Sequence, residues 1–456
     1  MGLGDGADAG ALLRPGGGRG GPPGRFAEGW GSRGRRGLGR FAGEEASTLR
    51  GCGSGFCSRS GRQRSRSPLG LGLELELGLT LELRLPLGLG LPLGVGLPLS
   101  LRLSPAPLRL AVYPRRVDLE QRVRALVAPR LLDVPSALAR RVAGAPERDG
   151  RYTLEPRIQL LMRVQQLAGA GGFETLGSVE AARDEYRTIC ALLGRPERPA
   201  PLTHDRVITH GERRVPVRIY RPGSAGPYPA IVYFHGGGFV IGDLETHDPV
   251  CRRLCTDVGA VVVAVDYRLA PEHPFPAAIE DCEAAARWVL EEGPTLGVDA
   301  ARVALAGDSA GGNLAVNVGQ RVDGLRFQLL IYPSSDVLAD TPSKRRCREG
   351  FGLDQSTVDW FVAQYAQDHD VADPGISPLR SEALGRCPPT RVVMAGFDVL
   401  RDEGDALADA IAGAGVETTR IVHGSLTHGF IHYTRLGPAR DALEDAIAAL
   451  RRALDA

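Results

Sequence analysis

The chain has 456 residues, with 55 Lys plus Arg against 54 Asp plus Glu and a formal net charge of +1. So even a balance excludes a broad basic surface for nucleic acid or an acidic one for basic partners. The eight cysteines are scattered with no C-x-x-C, which excludes a secreted disulfide framework and reads as the reduced thiols of a cytoplasmic protein.

Residues 1–67 are rich in glycine, arginine and serine and poor in apolar side chains, a composition that predicts disorder. Residues 1–30 lack the apolar stretch of a secretory signal. From Leu69 to Leu103 every odd position is leucine except Val95. Strict alternation is a strand pattern, but this run is several times the length of a strand, typically about 5–6 residues. We read 1–110 as a disordered low-complexity segment, translated upstream sequence from a start codon placed too early. As an arginine-glycine RNA-binding tail it lacks interleaved aromatics. Residues 85–101 are uncharged, but Pro86, Pro92 and Pro98 exclude a membrane-spanning helix.

Globular composition begins near Ala111. Helical spacing of Leu119, Val123, Leu126 and Val127, then of Ile158, Leu161, Met162, Val164 and Leu167, and a stretch ending at Ile189 predict two to four amphipathic helices over 111–200. The remainder, 201–456, alternates strands with helices. Strands are predicted at 215–220, 230–234, 261–265, 303–306, 327–332, 391–396 and 418–422, and helices at 248–257, 276–291, 311–322, 402–413 and 438–454. This is the pattern of an α/β fold, a mostly parallel sheet with helices on both faces. Between Tyr332 and Arg391 lies a stretch with its own helical segment, 356–367, too long for a plain connection and suited to a lid inserted over about 335–385.

Gly307, Asp308, Ser309, Ala310 and Gly311 form a G-x-S-x-G directly after the apolar run 303–306. A serine on so tight a strand-to-helix turn needs glycines two residues to either side, and the helix that follows points its amides at the serine oxygen. The pattern makes Ser309 a candidate nucleophile for acyl transfer. A base must lie downstream if the order is serine, acid, histidine, which leaves His369, His423, His428 and His432. His369 falls in the inserted stretch, and His432 reads as a helix-face residue. His428 sits in a loop that carries it over the strand ends; His423, ending a strand, is the alternative. Asp398 follows the run 392–397 and is the candidate acid. Asp402 and Glu403 fall where acids complement a helix dipole. The run His235, Gly236, Gly237, Gly238, Phe239 supplies oxyanion donors, with the amides of Gly237 and Gly238 joined by that of Ala310. His235 and Gly236 anchor this loop. A phosphate loop is excluded because no Walker pattern follows. No His, Cys or carboxylate spacing resembles a metal-ligand set, so neither metal nor cofactor is expected.

These residues, with Asp266–Ala278, the Asp398–Glu403 segment and His428-Gly429-Phe430, resemble the hormone-sensitive-lipase-like branch of α/β-hydrolases, the bacterial family IV esterases. The resemblance covers about 150–456. It implies an α/β-hydrolase fold with an eight-stranded, mostly parallel sheet, capped by residues ~112–200 and ~335–385. It also implies hydrolysis of small-molecule carboxylic esters with short to medium acyl chains, without a cofactor. An amidase or deacetylase would use the same three residues. The relatives that serve as hormone receptors have lost the histidine, whereas His428 is present. Assembly into a homo-oligomer is left open.

Overall fold

The computed structural model describes residues 72–75, 79–82, 130–194, 202–224 and 226–455. Within the leucine repeat, Gly72–Leu75 and Leu79–Glu82 pair as an antiparallel hairpin with Leu73 opposite Leu81. The alternating sequence of these two segments is what a strand requires. The rest of 1–110, and the apolar series 119–127, lie outside the described residues.

Three helices follow: α1 (Ser136–Val142), α2 (Pro156–Leu167) and α3 (Val179–Leu193). Pro156 opens α2, where its missing N–H costs nothing, and Ile158, Leu161 and Met162 are buried. Leu167, last in the apolar series, is 89% exposed at the frayed end. In α3 the Ser178 hydroxyl caps the first turn, accepting from the Ala181 amide at 3.1 Å.

The sheet strands are β1 (Leu202–His210), β2 (Arg213–Arg221), β3 (Tyr228–Phe234), β4 (Val261–Val265), β5 (Val298–Asp308), β6 (Phe327–Ile331), β7 (Thr390–Phe397) and β8 (Thr418–Thr427). They lie in the order β8-β7-β6-β5-β3-β4-β2-β1. Pairing is parallel from β8 through β4, while β2 runs against the rest and pairs antiparallel with both β4 and β1. All seven predicted strands are present. The eighth, β1, escaped prediction because it is an edge strand whose side chains are nearly all exposed, so neither an apolar run nor clean alternation marks it.

Helices α4 (Asp248–Arg253), α5 (Ala277–Glu292), α6 (Ala310–Gly319), α9 (Arg401–Gly413) and α10 (Gly437–Asp455) cover the sheet, and α7 (Pro342–Arg346) and α8 (Gln355–Ala366) lie in the stretch between β6 and β7. Two apolar layers result. Val232, Val263, Leu305 and Leu330 belong to one; Ile231, Val262, Ala304 and Leu329 belong to the other. Adjacent residues alternate between the layers, as strand geometry demands.

Arg183 fastens α3 to the sheet body. Its guanidinium donates to the carbonyls of Val240 (2.9 Å) and Ala270 (3.0 Å) and to both carboxylate oxygens of Glu272 (2.8 Å each). Arg183 holds the Glu272 carboxyl down at about 2, against the opposing effect of burial. The folded value lies below the unfolded one, so this pair's stabilisation is complete above about pH 4.5 and disappears as pH falls toward 2. Glu272 is half exposed, which limits the pair to at most about 1 kcal/mol. Glu272→Gln should therefore lower Tm slightly at pH 6, with the gap to the unmodified protein closing by pH 2–3 in paired thermal melts.

Candidate active site

Each element that carries a candidate residue ends at the same edge of the sheet. Strand β5 passes into α6 at Ser309, whose backbone is left-handed at φ 56°. That conformation is costly for a residue with a side chain and persists only where its surroundings enforce it. Here the Ser309 amide donates to the Ile331 carbonyl at 2.8 Å, and its own carbonyl accepts from Asn313 (3.1 Å) and Ser334 (3.2 Å). The flanking glycines are steric necessities. A β-carbon on Gly307 would stand 2.2 Å from the Gly311 carbonyl oxygen, and one on Gly311 would stand 1.9 Å from that of Phe234.

His428 follows β8. Between Ala395↔His423 and Phe397↔Thr427 the register slips, so β8 uses more residues than β7 to cover the same length. This bulge lifts the end of β8 and the loop beyond it. His428 Nδ1 lies 2.8 Å from Asp398 Oδ2, and Nε2 lies 2.9 Å from Ser309 Oγ. Asp398 is buried, and its other oxygen accepts from the Leu400 amide at 2.9 Å.

The remaining candidates stand elsewhere. His423 does not end a strand as expected: β8 continues to Thr427, and the His423 ring pairs with Asp445 at 3.6 Å. His369 caps the end of α8 through the Ala366 carbonyl, 3.0 Å away. Asp402 accepts from the Ser343 amide at 2.7 Å and from Arg401. Glu403, read as a dipole acid, is fully buried; it meets Lys344 at 2.7 Å and the Ser335 amide at 2.8 Å, fastening the inserted stretch to α9.

Gly237, Gly238 and Ala310 line one cavity with Ser309 and His428, about 390 Å3 in volume and mainly apolar. Leu161, Met162, Phe173 and Ile189 from the N-terminal helical region and Val358 and Phe361 from α8 form its upper walls. Phe361 packs directly on Gly238, where a β-carbon would meet its ring at 2.2 Å. His235 stacks on Tyr267 with ring centres 4.3 Å apart, and its Nδ1 lies 2.8 Å from the Gly236 carbonyl. Burial, then His247, pushes its ring down to about 4.

Asp308 accepts from the Tyr233 hydroxyl (2.8 Å) and the Gly236 amide (2.9 Å), with His247 Nε2 at 3.2 Å. It thereby joins the nucleophile turn to the glycine loop. Burial alone would raise its carboxyl, but His247, His432 and Tyr233 hold it below the ordinary range. His432 sits on the one-turn helix Phe430–His432 and lines the cavity, with Nε2 3.1 Å from the Tyr186 hydroxyl. His247, Tyr233 and Tyr186 escaped the sequence reading because no spacing relates them to the serine motif. His247, Asp308 and His432 each bring one potential ligand atom within 4.8 Å of the others.

Residues 231–432 match the family model described as alpha/beta hydrolase fold. Over 312 residues the chain is 41% identical to the carboxylic ester hydrolase LipN of Mycobacterium tuberculosis, spanning 66% of this chain and 83% of that one. The chain belongs to the α/β-hydrolase family, in its hormone-sensitive-lipase-like branch. It is also 38% identical to the carboxylesterase NlhH of the same organism, over 67% of this chain and 98% of that one. Among solved structures, a thermostable esterase from Pseudomonas putida superposes with a TM-score of 0.64 at 33% identity, covering 67% of this chain and 99% of that one. An ester-hydrolase from the Lake Arreo metagenome, complexed with a phosphonate derivative, gives 0.62 at 36% identity, covering 66% and 100%.

The steric wall behind the turn is directly testable. Gly311→Ala should destabilise the protein by about 3 kcal/mol or more, because a backbone carbonyl cannot retreat as a flexible side chain does. Urea unfolding of this variant beside Gly413→Ala, which has open space around it, makes the comparison.

Proposed function

We propose that the chain hydrolyses carboxylic esters through an acyl-enzyme on Ser309, with His428 as base and Asp398 as its orienting acid. The observation that carries this reading is the single imidazole bonded at 2.8 Å to Asp398 and at 2.9 Å to Ser309. His428 Nε2 takes the hydroxyl proton as Oγ attacks the ester carbonyl. The carbonyl oxygen gains the negative charge and is held by the amides of Gly237, Gly238 and Ala310. Collapse of this intermediate breaks the bond to the alcohol oxygen, which leaves with the proton from His428. Water then repeats the sequence, giving up a proton to His428, releasing the acid and restoring Ser309.

The volume and apolar lining of the cavity suit a short to medium acyl chain, since ligand pockets begin near 300 Å3. In this reading α1–α3 and the 335–385 stretch form a cap over the catalytic domain 201–456. The six described cysteines are free and buried, in keeping with a cytoplasmic location. Among the described residues no helix is long and apolar enough to cross a membrane.

Ser309→Ala should abolish hydrolysis of p-nitrophenyl butyrate with the circular dichroism spectrum unchanged, and a labelled fluorophosphonate should mark Ser309 alone. Labelling elsewhere would overturn the assignment. His428→Ala should match that loss while His423→Ala keeps most turnover. Asp398→Asn should lose about 1,000- to 10,000-fold in kcat, and Asp402→Asn far less. No metal takes part in either acyl-transfer step, so dialysis against EDTA should leave kcat no lower than before.

A further inference from the structure

Beside Ser309, the side chains of His247, Asp308 and His432 each bring one ligand atom within 4.8 Å of the others. The hydrogen bonds decide which nitrogen of His247 faces inward. The Thr246 hydroxyl donates to the Asp243 carbonyl at 2.8 Å. The same hydroxyl lies 2.9 Å from His247 Nδ1, which leaves Nε2 to face inward. Nε2 then faces Asp308 Oδ1 at 3.2 Å. At that separation Nε2 either donates an N–H to the carboxylate or shares a metal ion with it. The Gly236 N–H sits 3.4 Å from Nε2 but is taken by Oδ1 at 2.9 Å, and the Tyr233 hydroxyl also goes to Oδ1. The gap between His247 and Asp308 thus holds either the Nε2 hydrogen or a metal ion.

Three observations favour the metal. The 3.2 Å gap is the spacing of neighbouring ligands on a tetrahedral zinc, whose bonds of about 2.0–2.1 Å place them about 3.3 Å apart. A hydroxyl meets one nitrogen of each ring, Thr246 on His247 and Tyr186 on His432, as outer-shell groups do for metal-binding imidazoles. Asp308 and His432 line the cavity, which gives an ion a path in and leaves a coordination position open to water.

We propose that His247, Asp308 and His432 bind a divalent transition-metal ion of the zinc class, and that the bound ion inhibits turnover. Inhibition follows from position. Asp308 adjoins Ser309, and His428, which takes up a proton in each acylation, lines the same cavity as Asp308 and His432. A divalent cation there opposes the positive charge His428 must gain. The inhibition rests on the esterase reading; the binding does not.

The full-length protein, dialysed against EDTA, is titrated with Zn2+ against a chromophoric chelator and with Co2+ followed by visible absorption. One equivalent of Zn2+ should bind at micromolar or tighter affinity. Co2+ should give the intense bands of a four- or five-coordinate site, erased by Zn2+. Hydrolysis should fall at least tenfold with Zn2+ and return with EDTA. His247→Gln and His432→Gln should each weaken binding at least a hundredfold, whereas His204→Gln, on the exposed edge strand, should not change it. Absence of stoichiometric binding by the unmodified protein assigns the gap to a proton and overturns the proposal. Undiminished binding by a folded His432→Gln variant overturns it equally, and binding without loss of hydrolysis overturns the inhibitory part. Should both variants fail to fold, zinc-edge X-ray absorption on the unmodified protein decides, since a shell with fewer than two imidazoles refutes the site. Zinc binding by a protein with no esterase activity at all would sink the functional reading and leave this one standing.

Discussion

The chain has to pass from β5 into α6 through one residue, in a space with no room for a β-carbon on either side. Everything at the active edge is arranged around that turn. Ser309 is held left-handed by bonds to Ile331, Asn313 and Ser334, and Gly311 rests against the Phe234 carbonyl at the end of β3. Since β3 leads straight into the glycine loop, Ser309 and the amides of Gly237 and Gly238 share one wall. Their relative position is set by backbone contact, which is stiffer than any side-chain packing.

Much of this was legible in the sequence because it depends on local pattern. Short apolar runs marked β2 through β8, and G-x-S-x-G after such a run marked the turn. His428 was separable from His423 because a histidine fixed in a strand and one in the following loop reach different places. The bulge that gives His428 its height was not legible, since register is a property of two strands and only one was in view. The edge strand β1 lacked a buried face to betray it. Glu403 looked like a surface acid because nothing local announces that Lys344, in the inserted stretch, folds back onto it.

The site also concentrates buried charge. Asp308 and Glu403 are both nearly inaccessible, and each is satisfied by partners remote in sequence. Removing one member of such an arrangement leaves the other buried and uncompensated, typically at about 3–5 kcal/mol. Lys344 and Glu403 therefore do for the inserted stretch what Arg183 does for α3, by a buried pair in place of a half-exposed one.

Arg183 reaches the Val240 carbonyl, three residues beyond Gly237, and Val240 in turn donates its amide to Gly237. On the other side Tyr365 stacks on Phe239 with ring centres 3.9 Å apart, while Phe361 presses on Gly238. The two halves of this contact, α3 and α8, thus both grip the five-residue span that carries the amides of Gly237 and Gly238. A wedge driven under either half is felt as torque on those amides.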